Sequence, residues 1–355
     1  MSNMNSKKVV IISPYLFSLT RGIERYTINL SNALVNQGVE VIIYTRKQKN
    51  GKLCEEINPK IKVRTVPYFR FYEDFISVLF YRLWLLIDNP SSTILNFMYH
   101  GEEYLPKSRK YLYILHSPAS QIPSRYHYAA ERVRKFSNIH IVAISQFVLQ
   151  DALPYFKDKP MSLIYNGTDT DLFAPSKSKI PTDKFRIITP AAYEKRKGMH
   201  YMIEALADFK YRDIIEYDIY GSGDEEYRDF LMSLIKQYNL EDVVTLKGSV
   251  SNLPELEPKY DLFALLSSGE AFALTPIEAM ACGLPLLVSN FPPYPEFVKD
   301  DFGFMIDREN VIDIQNVLIT LIENPQYKQN MSLSARQASL AFSWNHVVQE
   351  YINIL

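Results

Sequence analysis

Two glutamates, Glu270 and Glu278, stand in the stretch SSGEAFALTPIEAMACGLPLLVSN at residues 267–290. An ionised carboxylate only accepts hydrogen bonds, so a pair of them suits the hydroxyls of a sugar or of a ribose. The residues between them, AFALT, are mostly small and precede a helix start, where free backbone amides and the helix dipole favour a phosphate. Glu278 also has a purely local reading. In Thr275-Pro276-Ile277-Glu278 the threonine is a good N-cap, proline fits the first helical position and glutamate the third. That pattern predicts a capping box and a helix over 276–282, closed by Gly283 and barred from continuing by Pro285.

Four further groups carry potential chemistry. EKRKG at 194–198 sets Lys195, Arg196 and Lys197 side by side, a match for a diphosphate or else a solvated basic turn. YGSGDEEYRDF at 220–230 offers Gly221 and Gly223 for close ligand approach or for a plain tight turn; it lacks the full GxGxxG nucleotide fingerprint. SLTRGIERY at 18–26 places Gly22 at a helix start, again with bare amides. His116, in ILHSP, ends a central strand, where it faces a ligand crevice or is satisfied structurally.

These residues need elements to hold them. Short β-rich runs alternate with helical patterns, with strands expected at 8–13, 39–45, 61–67, 93–99, 111–117, 139–145 and 161–167. After a polar, Pro- and Ser-containing linker (169–184) the same grammar restarts, with strands at 185–191, 216–221, 243–248, 261–267, 284–289 and 302–306 and a helical tail over 309–355. Such alternation predicts an α/β protein of two doubly wound parallel-sheet domains in tandem. Ligands of such sheets bind at the carboxyl ends of the strands.

Composition narrows the classes. A chain of 355 residues with 47% apolar content has enough for two cores and is not disordered. Cys54 and Cys282 lie far apart and form no metal-ligand pattern, which points to a reducing compartment. The first apolar run reads as a strand rather than a signal peptide, and FISVLFYRLWLLI (75–87) is too short to span a bilayer and carries Arg82. The formal charge of −1 hides an asymmetry: residues 1–170 hold 22 Lys and Arg against 13 Asp and Glu, the remainder 17 against 27. A basic first half, with aromatic stretches such as YFRFYEDF (68–75) and SRYHYAAERVRK (124–135), suits an anionic surface or partner. For residues 72–87 a buried helix with solvated lysines is the alternative.

Taken together, the motifs resemble the family 4 retaining glycosyltransferases, which have the GT-B fold. Glu270 and Glu278 match that family's E-x7-E motif, followed by EAMACGLP. YNGTDTDLFAP resembles its NGVD segment, RGIERYTINLSNAL its GGxE start with Arg21 in place of the first glycine, and FSWNHVVQEYINIL its last helix, which crosses back to the first domain. The resemblance implies an N-terminal Rossmann-like acceptor domain over 1–170 with a crossover helix at 342–355, and a nucleotide-sugar domain over 171–341, facing each other across a cleft. It further implies transfer of a hexose-type sugar from a nucleotide diphosphate, UDP before GDP, to a glycan or lipid-linked acceptor in surface polysaccharide or lipopolysaccharide synthesis. By matched position Glu278 would hold the ribose, and Glu270 the donor-sugar hydroxyls. The amides of Phe272, Ala273 and Leu274 would meet sugar and diphosphate. Lys197 and Gly22 would meet the diphosphate, and His116 would lie beside the sugar. Many members carry a Gly-Arg pair before the Lys-Gly; here the stretch is AAYEKRKG, and Arg196 would supply the guanidinium. No persuasive DxD pair is present, so neither metal nor other cofactor is expected, nor a nucleic-acid partner. The expected place is the cytoplasm, peripheral on the inner face of a membrane. Two other activities fit the same letters: a GT-B sugar-nucleotide epimerase, and a glycoside hydrolase using Glu270 and Glu278.

Overall fold

A computed structural model describes residues 7–13, 16, 22–47, 56–67, 73–96, 105–176 and 182–355. Arg21, Cys54 and most of the aromatic stretch 68–75 lie outside the described residues. The chain divides into two compact units, residues 1–167 with 344–355, and residues 168–343.

The first unit is built on β1 (Lys8–Ile12), α1 (Gly22–Asn36), β2 (Glu40–Arg46), β3 (Lys62–Val66) and α2 (Glu73–Asp88). It continues through β4 (Ser92–Asn96), β5 (Lys110–Leu115), α3 (Pro123–Val133), β6 (Asn138–Ala143), α4 (Gln146–Phe156) and β7 (Met161–Leu163). The seven strands form one parallel sheet in the order β3-β2-β1-β4-β5-β6-β7. Strands such as VVII and YLYIL are apolar on both faces because helices cover both sides.

The second unit contains β8 (Phe185–Pro190), α5 (Met199–Leu206), β9 (Ile215–Tyr220), α6 (Glu225–Gln237), β10 (Val244–Gly248) and α7 (Leu253–Leu256). After these come β11 (Leu262–Leu265), α8 (Leu274–Ala281), β12 (Leu286–Ser289), α9 (Tyr294–Phe297), β13 (Gly303–Ile306), α10 (Val311–Glu323) and α11 (Pro325–Ser339). Its six strands are again parallel, in the order β10-β9-β8-β11-β12-β13. Each sheet runs one way from its first strand and then the other, so the order reverses at β1/β4 and at β8/β11. A doubly wound sheet opens a crevice at such a switch point, because the flanking loops leave on opposite faces.

The tail over 309–355 is helical as expected and comes as three helices, because Pro325 starts α11 and Ser343 breaks the chain before α12 (Trp344–Ile354). One expectation needs correction. The run 161–167 pairs only over Met161–Leu163, since beyond it the chain turns along the indole of Trp344. Gly167 is glycine for that reason: a Cβ there would lie 2.6 Å from the Trp344 ring.

Helix α12 belongs to the first unit and packs on α1. The hydroxyls of Tyr26 (α1) and Tyr351 (α12) are buried and bonded to each other, and the Tyr26 ring lies 5.7 Å from the Trp344 ring. Removing one hydroxyl leaves the other buried without its partner, whereas removing both leaves an apolar contact. We therefore expect Tyr26→Phe and Tyr351→Phe each to destabilise the protein by about 1–2 kcal/mol, and the double variant to cost less than their sum. Melting of the three variants checks it; additive losses would show that the hydroxyls act separately.

Candidate active site

At the second sheet's switch point the loop after β8 meets the loop after β11. The first forms a 3-10 turn, Lys195–Lys197, capped by Gly198 in the left-handed conformation (φ 71°). A Cβ on Gly198 would fall 2.0 Å from the Leu266 carbonyl oxygen, so only glycine lets the basic turn lie this close to the end of β11. Ser268 then donates its amide to the Arg196 carbonyl at 2.8 Å and ties the two loops together.

This approach brings the cations to the carboxylate. Lys197 Nζ lies 2.7 Å and Arg196 Nη1 3.0 Å from Glu270 Oε1. The Lys197 and Glu270 side chains are only 13% and 11% exposed, so the pair is screened far less than a surface ion pair. Arg196 also reaches Glu194 Oε2 through Nε at 2.6 Å. Burial works against its guanidinium, but the carboxylates of Glu270 and Glu194 outweigh that and raise its pKa. Behind the loop, the Ser267 and Tyr294 hydroxyls are bonded at 2.9 Å, and the Ser289 hydroxyl donates to the Ser267 carbonyl. The Glu270 amide donates to the Pro292 carbonyl at 3.2 Å. The carboxylate thus sits on a fixed backbone.

Helix α8 begins two residues earlier than the capping-box reading requires. Its N-cap is Ala273, with no side-chain cap bond, so Thr275 is inside the helix and Glu278 lies in its second turn. The apolar contacts win over the cap: the Phe272 ring, buried, packs 5.7 Å from Phe297 and 6.3 Å from Phe342 and draws the chain into the helix before Thr275. The segment Phe272–Ala273–Leu274 therefore forms the entry to α8, at the same edge as Glu270. The end of the helix is as expected, with Gly283 left-handed at φ 76°.

Outside the cap, Glu278 is buried next to a carboxyl that no sequence motif marks. Glu257, between α7 and β11, has no solvent exposure. Its Oε2 lies 3.5 Å from Cys282 Sγ, one turn beyond Glu278 on α8, and its Oε1 has no hydrogen-bond partner. Burial, and then the charge of Glu278, push the Glu257 pKa well above the ordinary carboxylate value. Burial and the same glutamates raise the Cys282 thiol, which makes it an inert SH donor. Nearby, Arg336 from α11 donates through Nη1 to the carbonyls of Thr170, Phe173 and Ala281 and pins the end of α8. Glu257 left no signal in the sequence, because SNLPELEPKYD reads as a solvated loop.

The remaining candidates separate. Gly221 is accounted for by packing: its Cβ would lie 2.0 Å from the Ala191 carbonyl oxygen, and its amide donates to Gly248 at 2.9 Å. Gly22 and His116 belong to the first unit. Gly22 opens α1 with open space where a side chain would be. His116 follows β5, and its ring meets that of Tyr26, one turn after Gly22, edge-on at 4.7 Å. Burial pushes the His116 pKa down to about 3, so the imidazole is neutral near pH 7. An open cavity of about 390 Å³, lined by Lys184, Asp261, Gly283, Lys328 and Ser332, lies at the opposite, amino-terminal edge of the second sheet. Its Lys328 is committed to Asp261 at 2.8 Å. Among the described residues no group of three or more His, Cys, Asp or Glu could hold a metal ion.

Glu257 makes stability depend on pH with a definite sign. Its folded pKa is raised, so its contribution is complete below the unfolded value near 4.3 and is lost as pH rises toward the folded value. Glu257→Gln removes the titration. The variant should melt with wild type at pH 4.5 and several degrees above it at pH 8; a constant gap would mean that Glu257 is already ionised in the fold.

Both halves of the chain match known protein families. Residues 20–172 match the model "Glycosyltransferase Family 4", and residues 172–338 match "Glycosyl transferases group 1". WcaL of Escherichia coli (strain K12), named as a colanic acid biosynthesis glycosyltransferase, is 31% identical over 41% of this chain and 37% of its own length. N-acetyl-alpha-D-glucosaminyl L-malate synthase of Bacillus anthracis is 24% identical over 60% of this chain and 58% of its own. The matches thus span about two fifths to three fifths of these relatives. Among solved structures, a glycosyltransferase from Rickettsia africae ESF-5 superposes with TM-score 0.82 at 20% identity over 99% of this chain and 98% of its own. Anabaena Alr3699/HepE, solved with UDP, gives 0.80 at 19% identity over 98% of each chain. With both halves matched in order and both sheets wound as in these structures, the chain belongs to the family 4 glycosyltransferases of the GT-B fold.

Proposed function

We propose that this glycosyltransferase moves a hexose-type sugar from a UDP-linked donor to a glycan or lipid-linked acceptor, with retention at the anomeric carbon. The observation that carries the reading is the convergence of Lys197 and Arg196, from the loop after β8, on Glu270, from the loop after β11. Two cations and a carboxylate at a switch point suit a ligand that is anionic at one end and hydroxylated at the other. Solved proteins of this fold contain UDP, UDP-glucose, or UDP with alpha-GlcNAc-glycerol, and one is a lipopolysaccharide outer core galactosyltransferase. These, with the colanic acid relative, support a nucleotide-sugar donor and a surface-glycan product.

In this reading the donor's diphosphate takes up Lys197 and Arg196, and Glu270 turns to hydroxyls of the sugar. The amides entering α8 face the diphosphate, and Glu278 accepts from the ribose. The bond from the anomeric carbon to the diphosphate oxygen breaks, and the leaving UDP keeps the electron pair. Lys197, Arg196 and the amides stabilise charge that grows in the transition state, which is where binding energy accelerates a reaction. The acceptor hydroxyl attacks the same face of the sugar and gives its proton to the departing phosphate oxygen. Cations supply this stabilisation, so the reading calls for no metal. Gly22 and His116 enter it on the family resemblance alone. A hydrolase would need Glu270 and Glu278 to flank a scissile bond, but Glu270 is committed to two cations and Glu278 is buried beside Glu257.

The first test is calorimetric binding of UDP, GDP and ADP in the presence of EDTA. UDP should bind, and Glu278→Gln should weaken it about tenfold or more with little change in melting temperature. If no nucleotide binds, or the substitution alters stability alone, the donor site is misassigned. Lys197→Ala should lower kcat/KM by about 100-fold. NMR of the transferred sugar reads the anomeric outcome, and an inverted product would overturn retention.

A further inference from the structure

Helix α2 turns an apolar face outward. Its inner face is fixed to the first sheet: Val78, Tyr81, Leu85 and Asp88 are buried, Tyr81 stacks on Tyr44 at 5.7 Å, and Asp88 takes a two-pronged contact from Arg64 at 2.6 Å. The opposite face should therefore be polar, as on an ordinary surface helix. Instead it carries Leu79, Leu83, Leu86 and Ile87, which are 51%, 53%, 67% and 62% exposed. At about 100° per residue they share one arc of the helix with exposed Arg82, the single charge on that arc among the described side chains.

We propose that this face of α2 docks the protein on an anionic lipid bilayer. The inference rests on the proposed lipid-linked or surface-glycan acceptor only in its biology; its geometry is independent of the donor site. Charge favours lipid as the occupant. Lys62, Arg64 and Arg109 gather at the carboxyl end of the helix, where Lys62 lies 3.8 Å from Asp88 and Arg109 donates to Asn89 at 3.2 Å. Among the described residues in these contacts Asp88 is the one acid, so three cations there share one carboxylate. The largest exposures, at Leu86 and Ile87, fall at this same end. Apolar side chains entering the headgroup layer beside phosphate-seeking cations are the two-part signature of interfacial binding. On such a surface the exposed Arg82 would bring a guanidinium to the phosphates beside the leucines. Area argues against a second copy as occupant. Four half-exposed side chains of this size present on the order of 400 Å², about half of what each partner gives a standard protein interface. No helix among the described residues is long and apolar enough to cross a membrane.

The test is co-sedimentation of the full chain with vesicles of phosphatidylglycerol mixed into phosphatidylcholine, and of phosphatidylcholine alone. Wild type should bind the anionic vesicles, and bind them more weakly in high salt. The variant Leu83→Ser/Leu86→Ser/Ile87→Ser should lose binding at least tenfold while keeping its melting temperature and its UDP affinity. Arg82→Glu, which leaves the leucines in place, should also weaken binding. Wild type bound to neither vesicle would overturn peripheral attachment altogether. Equal binding by the triple variant would overturn the assignment to α2 and leave attachment standing. A wild-type dimer that the triple variant converts to monomer would identify the face as a self-association surface and overturn the lipid assignment.

Discussion

The Leu266 carbonyl occupies the place where a side chain on residue 198 would begin, and the candidate site depends on that exclusion. With any other residue the basic turn would be pushed off the end of β11. The Ser268–Arg196 backbone bond would then open, and Lys197 and Arg196 would lose their reach to Glu270. The restriction is steric and lies in the backbone, so no side-chain repacking relieves it. Sheet winding has already brought the two loops to one crevice; the missing Cβ turns that nearness into contact between charges of opposite sign.

A site built this way is held from behind by groups that meet no ligand. Three carbonyls from the linker start and from α8 converge on Arg336, which satisfies acceptors that the helix end would leave bare. Glu257 and Cys282 fill the space behind Glu278 with polar atoms that burial keeps protonated. Two carboxyls close together in a low-dielectric interior cannot both ionise cheaply. Glu257 is the member of the pair whose pKa burial and its neighbour raise, and Glu278 is the member on the helix that starts at the candidate site.

The architecture was legible because it rests on period and composition. Runs such as VVII, YLYIL and LPLLVS predict thirteen strands, and thirteen form among the described residues, since a strand covered on both faces must be apolar throughout. Boundaries were less secure where two local signals competed. Thr275-Pro276-Ile277-Glu278 has every letter of a capping box, yet Phe272 packing against Phe297 and Phe342 starts α8 earlier. The cap rule weighs neighbours within a turn, and those two rings lie 25 and 70 residues away in the chain. Glu257 was illegible for a similar reason: a glutamate between Leu256 and Pro258 looks solvated until the fold closes α8 and Cys282 over it. Gly221 is ambiguous for the converse reason, because a glycine that packs against Ala191 has the same letters as one that admits a ligand.

Helix α2 joins this lesson to function. Its sequence, EDFISVLFYRLWLLID, is apolar nearly all round, the pattern of a helix buried on every side. The fold buries only half of it, because β3 is an edge strand and the sheet offers α2 one face. The surplus apolar residues have no role in holding that sheet, since Tyr81, Leu85 and the Arg64–Asp88 contact already anchor the helix. Leucines exposed to water carry a standing cost in hydration and aggregation, which a soluble surface would ordinarily shed by substituting polar residues. Their place beside three cations that share one carboxylate is coherent if the face spends its working time against headgroups and acyl chains, where the same residues stabilise attachment.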